Sequence, residues 1–155
     1  MHPKVLSYIL ATILIIFLVY LFIRQLEGYY QQQDPMLDNI REIFSSFFSQ
    51  KKEWREPLQM LNSRQPHNEV TFYKGKKSYT INKSKVYICL KDENNEYYNL
   101  NMLIYVVAHE YAHVLSESIG HTDEFYRIFE ALLVELTDIG YYDPSQEIIQ
   151  DYCQY

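Results

Sequence analysis

Two histidines four residues apart, with a glutamate between them, are the residues of this chain best suited to chemistry. Residues 109–113 read His-Glu-Tyr-Ala-His, inside a segment whose apolar spacing predicts a helix. Because an α-helix turns once in about 3.6 residues, His109 and His113 project from one face. Their imidazoles can reach a single Zn²⁺ at about 2.0–2.1 Å, with Glu110 placed to act on the bound water. The motif predicts a hydrolytic zinc site; the simpler alternative is an exposed histidine pair with a solvated glutamate.

A catalytic zinc ion requires a third protein ligand and keeps one coordination position open. His121 is the leading candidate, because it follows Gly120, where the helix is expected to end and the chain to turn back. Glu117 is an alternative on the face of the two histidines, although a carboxylate there more often orients a histidine N–H. Glu130 and Glu135 on the next predicted helix are further alternatives.

Hydrolysis also assigns roles to residues that do not bind the metal. Glu110 is expected to act as general base on the water and then as proton donor to the leaving amine. A donor to the oxyanion is also expected, and the sequence leaves three candidates open: Tyr126, Tyr141 and Tyr142.

Two predicted helices position these residues. The first begins near Asn99 or Asn101, either of which can cap it, and Gly120 is expected to end it in a left-handed conformation. The second is capped by Thr122 and ends at Gly140. Its buried stripe is predicted to comprise Phe125, Ile128, Phe129, Leu132, Leu133, Leu136 and Ile139.

The residues before these helices predict an α+β domain. A helix with one apolar stripe opens at Pro35, which suits a first helical turn. Residues 51–67 suggest a second short helix that ends before Pro66. From Val70 onward, apolar and polar residues alternate, which predicts a small antiparallel sheet. The tail that begins at Tyr141 is polar and rich in tyrosine, and no structure is assigned to it.

The chain begins with an apolar run from Val5 to Ile23, nineteen residues without a charge. As a helix it spans about 28 Å, close to the hydrocarbon thickness of a bilayer. A cleaved signal peptide would have a shorter apolar stretch and a small-residue cleavage site, and residues 24–30 offer no such site. We therefore predict a single-pass anchor over 1–26, a polar spacer over 27–34 and one folded domain over 35–155. The flanking charges leave the orientation open.

The composition limits which partners and which cysteine chemistry can be expected. With a net charge of −6, the chain lacks the basic surface that nucleic-acid binders normally have, so no nucleic acid is expected as a partner. A local group of lysines over residues 74–85 is more typical of solubilising edge residues. Two cysteines, Cys89 and Cys153, permit one disulfide within the chain, and their spacing does not decide whether it forms.

Three segments of the chain resemble a known kind of protein. They read Y-T-I-N-K-S-K-V-Y-I-C-L (79–90), Y-Y-N-L-N-M-L-I-Y-V-V-A-H-E-Y-A-H-V (97–114) and G-H-T-D-E-F-Y-R-I-F (120–129). Together they resemble the predicted metallopeptidases of large DNA viruses, which are in turn similar to the WLM and SprT-like zinc peptidases. The chain departs from the WLM pattern in the longer interval between His113 and His121, and from metzincins in having no methionine after Met102.

The resemblance implies a fold, a ligand set and an activity. It implies a minimal zincin fold behind the transmembrane helix, with a small sheet packed on the motif helix and the helix that follows. It places His109, His113 and His121 on zinc, makes Glu110 the catalyst, and implies hydrolysis of peptide bonds. It also suggests a viral or host membrane as the location of the anchor.

Two functions from different classes remain after these arguments. The leading hypothesis is a membrane-anchored zinc metallopeptidase that acts on a protein or peptide substrate near the bilayer. The alternative is a catalytically inactive zinc-binding membrane or virion protein with a structural or interaction role, in which Glu117 or Cys153 closes the site as a fourth ligand. A nucleic-acid-associated repair peptidase would need a basic surface that the composition does not supply.

Overall fold

The computed structural model describes residues 3–50, 53–150 and 152–153. The chain divides into two compact units, Met1–Gln33 and Asp34–Tyr155. The second unit contains helices, a three-stranded sheet and a single apolar core, so the predicted α+β class is confirmed.

The first unit consists of one long helix, α1 (Pro3–Gln32). Within the described residues, it is the one helix long and apolar enough to cross a membrane, and its apolar side chains are exposed. The helix runs on through most of the predicted spacer. The glutamine and glutamate residues there are good helix formers, and no proline interrupts them before Pro35.

The described residues of the second unit form eight elements. In chain order they are α2 (Pro35–Phe48), a 3₁₀ helix (Gln59–Asn62), α3 (Pro66–Glu69), β1 (Thr71–Lys74), β2 (Tyr79–Ile81), β3 (Lys85–Ile88), α4 (Leu100–Leu115) and α5 (Asp123–Asp138). A short helix does end before Pro66, as predicted, but it is the 3₁₀ helix Gln59–Asn62, and a further helix, α3, begins at Pro66. Proline lacks an N–H and is tolerated in the first turn of a helix, where that N–H has no partner.

The sheet is mixed, so the predicted antiparallel arrangement is wrong for one of its two strand pairs. Its order is β1-β3-β2, with β3 parallel to β1 and antiparallel to β2. Val86 and Ile88 make β3 the most buried strand, and a central position gives it partners on both sides. Alternating polarity predicts which residues face the core, but it carries no information on strand order.

A tight hairpin joins β2 to β3. Asn82 and Lys83 both have positive φ, of 50° and 53°, and the Ser84 N–H donates to the carbonyl of Ile81 at 3.2 Å. Two consecutive residues with positive φ match the right-handed twist of paired strands. The turn leaves Thr80 opposite Val86, so its side chain lies on the core-facing side of the sheet.

The core lies between the sheet and three helices. Each of these helices, α2, α4 and α5, has an N-cap side chain that accepts a hydrogen bond from a backbone N–H of its first turn. The N-cap residues are Asp34, Asn99 and Thr122, and those of α4 and α5 are as the sequence predicts. The predicted stripe of α5 is confirmed in Phe125, Ile128, Phe129, Leu132 and Leu136, which are buried, while Leu133 and Ile139 are half-buried.

The end of α4 differs from the prediction. The helix ends at Leu115 with Ser116 as its cap, and Gly120, although its φ is +85°, lies in the loop beyond. Gly140 does end α5: its N–H donates to Thr137 and that of Tyr141 to Leu136, the pattern of a Schellman cap. The difference matters for the site, because residues 116–121 form a loop that carries His121.

The tail after Gly140 has no helix or strand in its described residues, but it is held against the core. Cys153 forms a disulfide with Cys89, 64 residues earlier. Tyr142 and Cys153 are buried, and Ile148 is half-buried against the core.

Candidate metal centre

Three histidines converge where α4 meets the loop before α5. Nitrogen atoms of His109, His113 and His121 lie within 4.8 Å of one another. Their ring centroids are separated by 5.0, 5.0 and 4.9 Å. Among the described residues, these three form the group of histidine, cysteine and acidic side chains close enough to hold a metal ion.

The spacing of the nitrogens suits a shared ion. The Nε2 atoms of His109 and His121 are 3.1 Å apart. Two ligands at about 2.0–2.1 Å from one tetrahedral zinc ion are about 3.3 Å apart. His109 and His113 come from successive turns of α4, and His121 approaches from the loop, so the side opposite the protein is left to solvent.

The surroundings keep two of the imidazoles neutral, the form that binds metals. Burial, together with the charges of the neighbouring His113 and His121, lowers the pKa of His109 to about 4. Burial also lowers the pKa of His113, as do the charges of His121 and Lys83. A cation arriving at the site therefore displaces few protons from these two ligands.

One aromatic ring supports all three imidazoles. Phe125, fully buried in the first turn of α5, has its centroid 4.9 Å from that of His109, 4.4 Å from that of His113 and 4.7 Å from that of His121. The sequence placed Phe125 in the buried stripe of α5, but its contact with the histidines depends on how α4 and α5 pack. Phe125 restricts the rings to one arrangement.

Glu110 lies beside the triad and is oriented by the sheet. Its carboxylate is buried, and Oε2 accepts a hydrogen bond of 2.6 Å from the Thr80 hydroxyl. Burial raises the pKa of Glu110 to about 7, while the bond from Thr80 acts in the opposite direction. A divalent cation nearby would favour the ionised carboxylate. Sequence reasoning missed Thr80, because apolar–polar alternation predicts that Tyr79 and Ile81 face the core; the structure leaves both exposed and turns Thr80 inward.

The loop that carries His121 is organised by a carboxylate at the start of α5. Glu124 accepts from the N–H groups of Glu117 and Ser118 at 2.9 and 3.1 Å, and from the hydroxyls of Ser116 and Ser118 at 3.0 and 2.7 Å. The N–H of Glu117 and then the hydroxyl of Ser118 are the chief causes that lower the pKa of Glu124 to about 2. The ionised carboxylate thereby fixes the path of the chain between α4 and His121.

Lys83 braces the opposite side of this loop. Its ammonium group donates to the carbonyls of Ser116 and, at 3.1 Å, of Glu117, at the C-terminal end of α4. A cation there also complements the negative end of the helix dipole. The β2–β3 turn and the end of α4 are thus tied together next to the histidines.

Curated relatives of the chain are found among viral proteins. The chain is 40% identical over 106 residues to the uncharacterized protein 136R of Invertebrate iridescent virus 6, covering 66% of this chain and 60% of the relative. It is 42% identical over 98 residues to the uncharacterized protein 042R of Invertebrate iridescent virus 3, covering 63% and 62%. It is 30% identical over 112 residues to the uncharacterized protein R325 of Acanthamoeba polyphaga mimivirus, covering 68% and 54%.

These relatives are viral. The chain spans about three fifths of the length of the two iridescent virus proteins it matches. No family model matches the chain. No solved structure matches it either.

The alternative third ligands lie apart from the triad. Glu117 is exposed and lines a different cavity, together with Pro57 and Arg127. Glu130 is exposed on α5, and Glu135 lines a further cavity beside Glu53. Cys153, considered as a closing ligand, is bonded to Cys89.

The tyrosines considered as oxyanion donors occupy different places. Tyr126 is half exposed, and its ring centroid lies 6.1 Å from that of His121. The hydroxyl of Tyr141 donates to Ser46, and Tyr142 packs on Tyr105. Tyr105, which sequence reasoning missed, lines a cavity with His109 and Glu110. The signal for it is its position four residues before His109, on the same face of α4.

Proposed function

We propose that this chain is a membrane-anchored, zinc-dependent metallopeptidase with a zincin-like, WLM/SprT-like domain, which hydrolyses peptide bonds of a protein near the bilayer. The observation that carries the proposal is the convergence of His109, His113 and His121 beside Glu110. A buried carboxylate next to three metal-ligating imidazoles is the arrangement that metal-assisted hydrolysis requires.

The donor set supports zinc as the ion. Three imidazole nitrogens suit zinc among the common divalent ions, whereas calcium and magnesium prefer oxygen ligands. Three protein ligands with no fourth among the described residues leave a position for water, as catalytic zinc sites do. A purely structural zinc site would be closed by four protein ligands.

The chemistry divides between the ion and the protein. When bound, zinc would make a coordinated water more acidic and polarise the carbonyl of the scissile bond. Glu110 accepts a proton from the attacking water and delivers it to the leaving amine. Thr80 holds the Glu110 carboxylate in position through its hydroxyl. Tyr126, whose ring packs near His121, and Tyr105, which lines the cleft with His109, are candidates to stabilise the oxyanion.

The anchor part of the proposal rests on α1. Its apolar side chains are exposed over a length that can cross the hydrocarbon core. Exposed apolar surface of this extent is unfavourable in water and is expected to be covered by lipid.

The test combines metal analysis with one substitution. We expect the full chain, purified in detergent, to bind about one zinc ion per molecule and to cleave an unfolded, fluorescently labelled protein. Glu110→Gln should retain zinc but lose about 100-fold or more of the activity, because it removes the general base.

Glu117→Gln is the matched control, because Glu117 is an exposed glutamate outside the triad. We expect it to keep both zinc and activity. Undiminished cleavage by Glu110→Gln would show that the catalytic assignment is wrong. Stoichiometric zinc without cleavage of any protein, and with four protein ligands by X-ray absorption, would instead favour a structural zinc protein.

A further inference from the structure

A second cavity adjoins the metal site. This cleft has a volume of about 680 Å³ and shares Ser78, His109 and Glu110 with the cavity that contains the triad. Ligand pockets typically enclose about 300–1,000 Å³. A peptide whose scissile bond lies over the histidines would therefore extend directly into the cleft.

One wall of the cleft is a continuation of the motif helix. Met102, Tyr105 and Val106 line it, and they precede His109 by seven, four and three residues. These intervals place all of them on the face of α4 that carries the histidine. The helix therefore presents an apolar and aromatic surface next to the metal ligand.

The opposite wall is the C-terminal tail. Ile148 and Tyr152 line the cleft from this side, and both are half-buried against the core. The described residues of the tail form no helix or strand. The backbone pairing that usually fixes a pocket wall is missing from this segment, so other bonds must hold it in place.

A covalent bond and a small polar network hold the tail. Cys153 is bonded to Cys89, directly after β3, and its N–H donates to the Tyr98 hydroxyl at 3.3 Å. The Tyr152 hydroxyl donates to the carbonyl of Cys89 and lies 2.8 Å from the hydroxyl of Ser78. These contacts join the tail to the residue just before β2 and to the residue just after β3, at the edge of the metal site.

We propose that the tail is part of the substrate-binding machinery: Ile148 and Tyr152 form the outer wall of a pocket for an apolar side chain of the peptide, and the Cys89–Cys153 disulfide holds that wall. The inference rests on the proposed peptidase function and adds to it a substrate class and two specificity-determining residues. The pocket selects a large apolar residue adjacent to the scissile bond.

The lining gives the reason for this selectivity. Met102, Val106 and Ile148 bring apolar side chains to the cleft that can exclude water from an apolar substrate side chain, while Lys77, Ser78, Glu110 and Gln150 are among the polar residues that also line it. A hydrophobic pocket discriminates by about 10- to 200-fold for one methylene group. We therefore expect leucine, methionine or phenylalanine to be preferred over alanine by about tenfold or more, and aspartate to be excluded.

The test uses the zinc-loaded full chain in detergent and a set of quenched fluorescent peptides that differ at the residue next to the cleaved bond. Ile148→Asp should raise KM for apolar peptides with a smaller change in kcat, and should favour lysine or arginine at that position. Ile148→Val keeps an apolar side chain at this position and should retain the apolar preference. Val134→Asp, an exposed position on α5, is the matched control and should leave the preference unchanged.

A double variant, Cys89→Ser with Cys153→Ser, tests the disulfide. We expect it to keep its zinc and to lose most of the discrimination between leucine and alanine peptides. Circular dichroism and zinc content identify a variant that has failed to fold. For such a variant, binding of uncleaved peptides to Glu110→Gln, alone and combined with Ile148→Ala, gives a second measurement, and the combined variant should lose most of the preference for leucine over alanine.

The outcomes separate this inference from the function on which it rests. Cleavage by the wild type with a preference that neither Ile148→Asp nor the double serine variant alters would overturn the role of the tail and leave the peptidase intact. Absence of cleavage of every peptide and protein by the zinc-loaded wild type would overturn both.

Discussion

At the scale of single residues, the candidate base depends on a residue from another element. Glu110 comes from α4, but the hydroxyl that orients its carboxylate comes from Thr80 on β2. A buried carboxylate without such a partner would be held less firmly and would be more easily protonated. The hydrogen bond thus couples the geometry of the sheet to the chemistry of the helix.

Replacement of Thr80 tests this coupling. We expect Thr80→Val to lower kcat by about tenfold or more, because a hydrogen bond to a charged group contributes about 1.5–3 kcal/mol. Zinc affinity should not change, since the Thr80 hydroxyl donates to Glu110 and not to a histidine. Thr80→Ser keeps the hydroxyl and should retain most of the activity. Equal losses in the valine and serine variants would mean that the hydroxyl has no role.

Phe125 acts on the metal ligands through packing alone. We expect Phe125→Ala to cost about 3–5 kcal/mol of unfolding free energy and, separately, to weaken zinc binding by about 10- to 100-fold. Leu132→Ala, also fully buried on α5 but without a ring contact to the histidines, is the control. It should cost about 2–5 kcal/mol while the zinc affinity of the folded protein stays constant. Parallel losses of affinity in both variants would argue for a general stability effect.

At the scale of elements, the loop between α4 and α5 determines whether the third histidine reaches the other two. The Glu124 carboxylate fixes residues 116–118 by four hydrogen bonds, and Lys83 holds the carbonyls of the same segment. The loop has no regular structure, so its conformation depends on these side chains. The position of His121 is therefore a property of the contacts between three elements.

The contribution of Glu124 to stability depends on pH. Its pKa is lowered from 4.5 to about 2, so the stabilisation is present above pH 4.5 and is lost as the pH falls towards 2. We expect the wild type to be more stable than Glu124→Gln at pH 7, with the difference shrinking between pH 4.5 and 2. Denaturant unfolding at a series of pH values measures it.

Glu130→Gln makes the same chemical change at an exposed position on the same helix and serves as the control. It should show no such pH-dependent difference, and its zinc affinity should equal that of the wild type. Zinc affinity should fall in Glu124→Gln, because the loop that presents His121 is loosened. An unchanged affinity in Glu124→Gln would mean that the loop holds its path without the carboxylate.

At the scale of the whole molecule, an exposed apolar helix and a domain with its own core are joined in one chain. The unit Asp34–Tyr155 buries its apolar residues internally, whereas α1 leaves its apolar residues exposed. A chain of this kind is expected to be retained at a membrane by the helix alone, with the domain in the aqueous phase.

Membrane extraction tests the anchor. We expect the full chain to stay with membranes in alkaline carbonate, because α1 is long enough to span the hydrocarbon core. A variant that lacks residues 1–33 should be released and should keep its zinc. If mass spectrometry shows that the mature protein has lost these residues, α1 is a signal sequence and the anchor is wrong.

The sequence by itself determined the elements and much of the candidate site. The caps at Asn99 and Thr122 and the apolar stripe of α5 are local features, and the structure has them as predicted. The intervals between His109, Glu110 and His113 likewise follow from helical periodicity. His121 lies with His109 and His113, as expected, although α4 ends at Leu115 and not at Gly120, so a longer loop than predicted carries it.

Tertiary structure decided everything that depends on contacts between distant segments. The parallel pairing of β1 with β3, the support of the three imidazoles by Phe125, the bond from Thr80 to Glu110 and the tail disulfide all join residues from different elements or segments. Residue patterns report local backbone preference and which side is buried, but they do not report which buried surfaces meet. That choice is made by packing the whole core at once, because each side chain must fill space left by all the others.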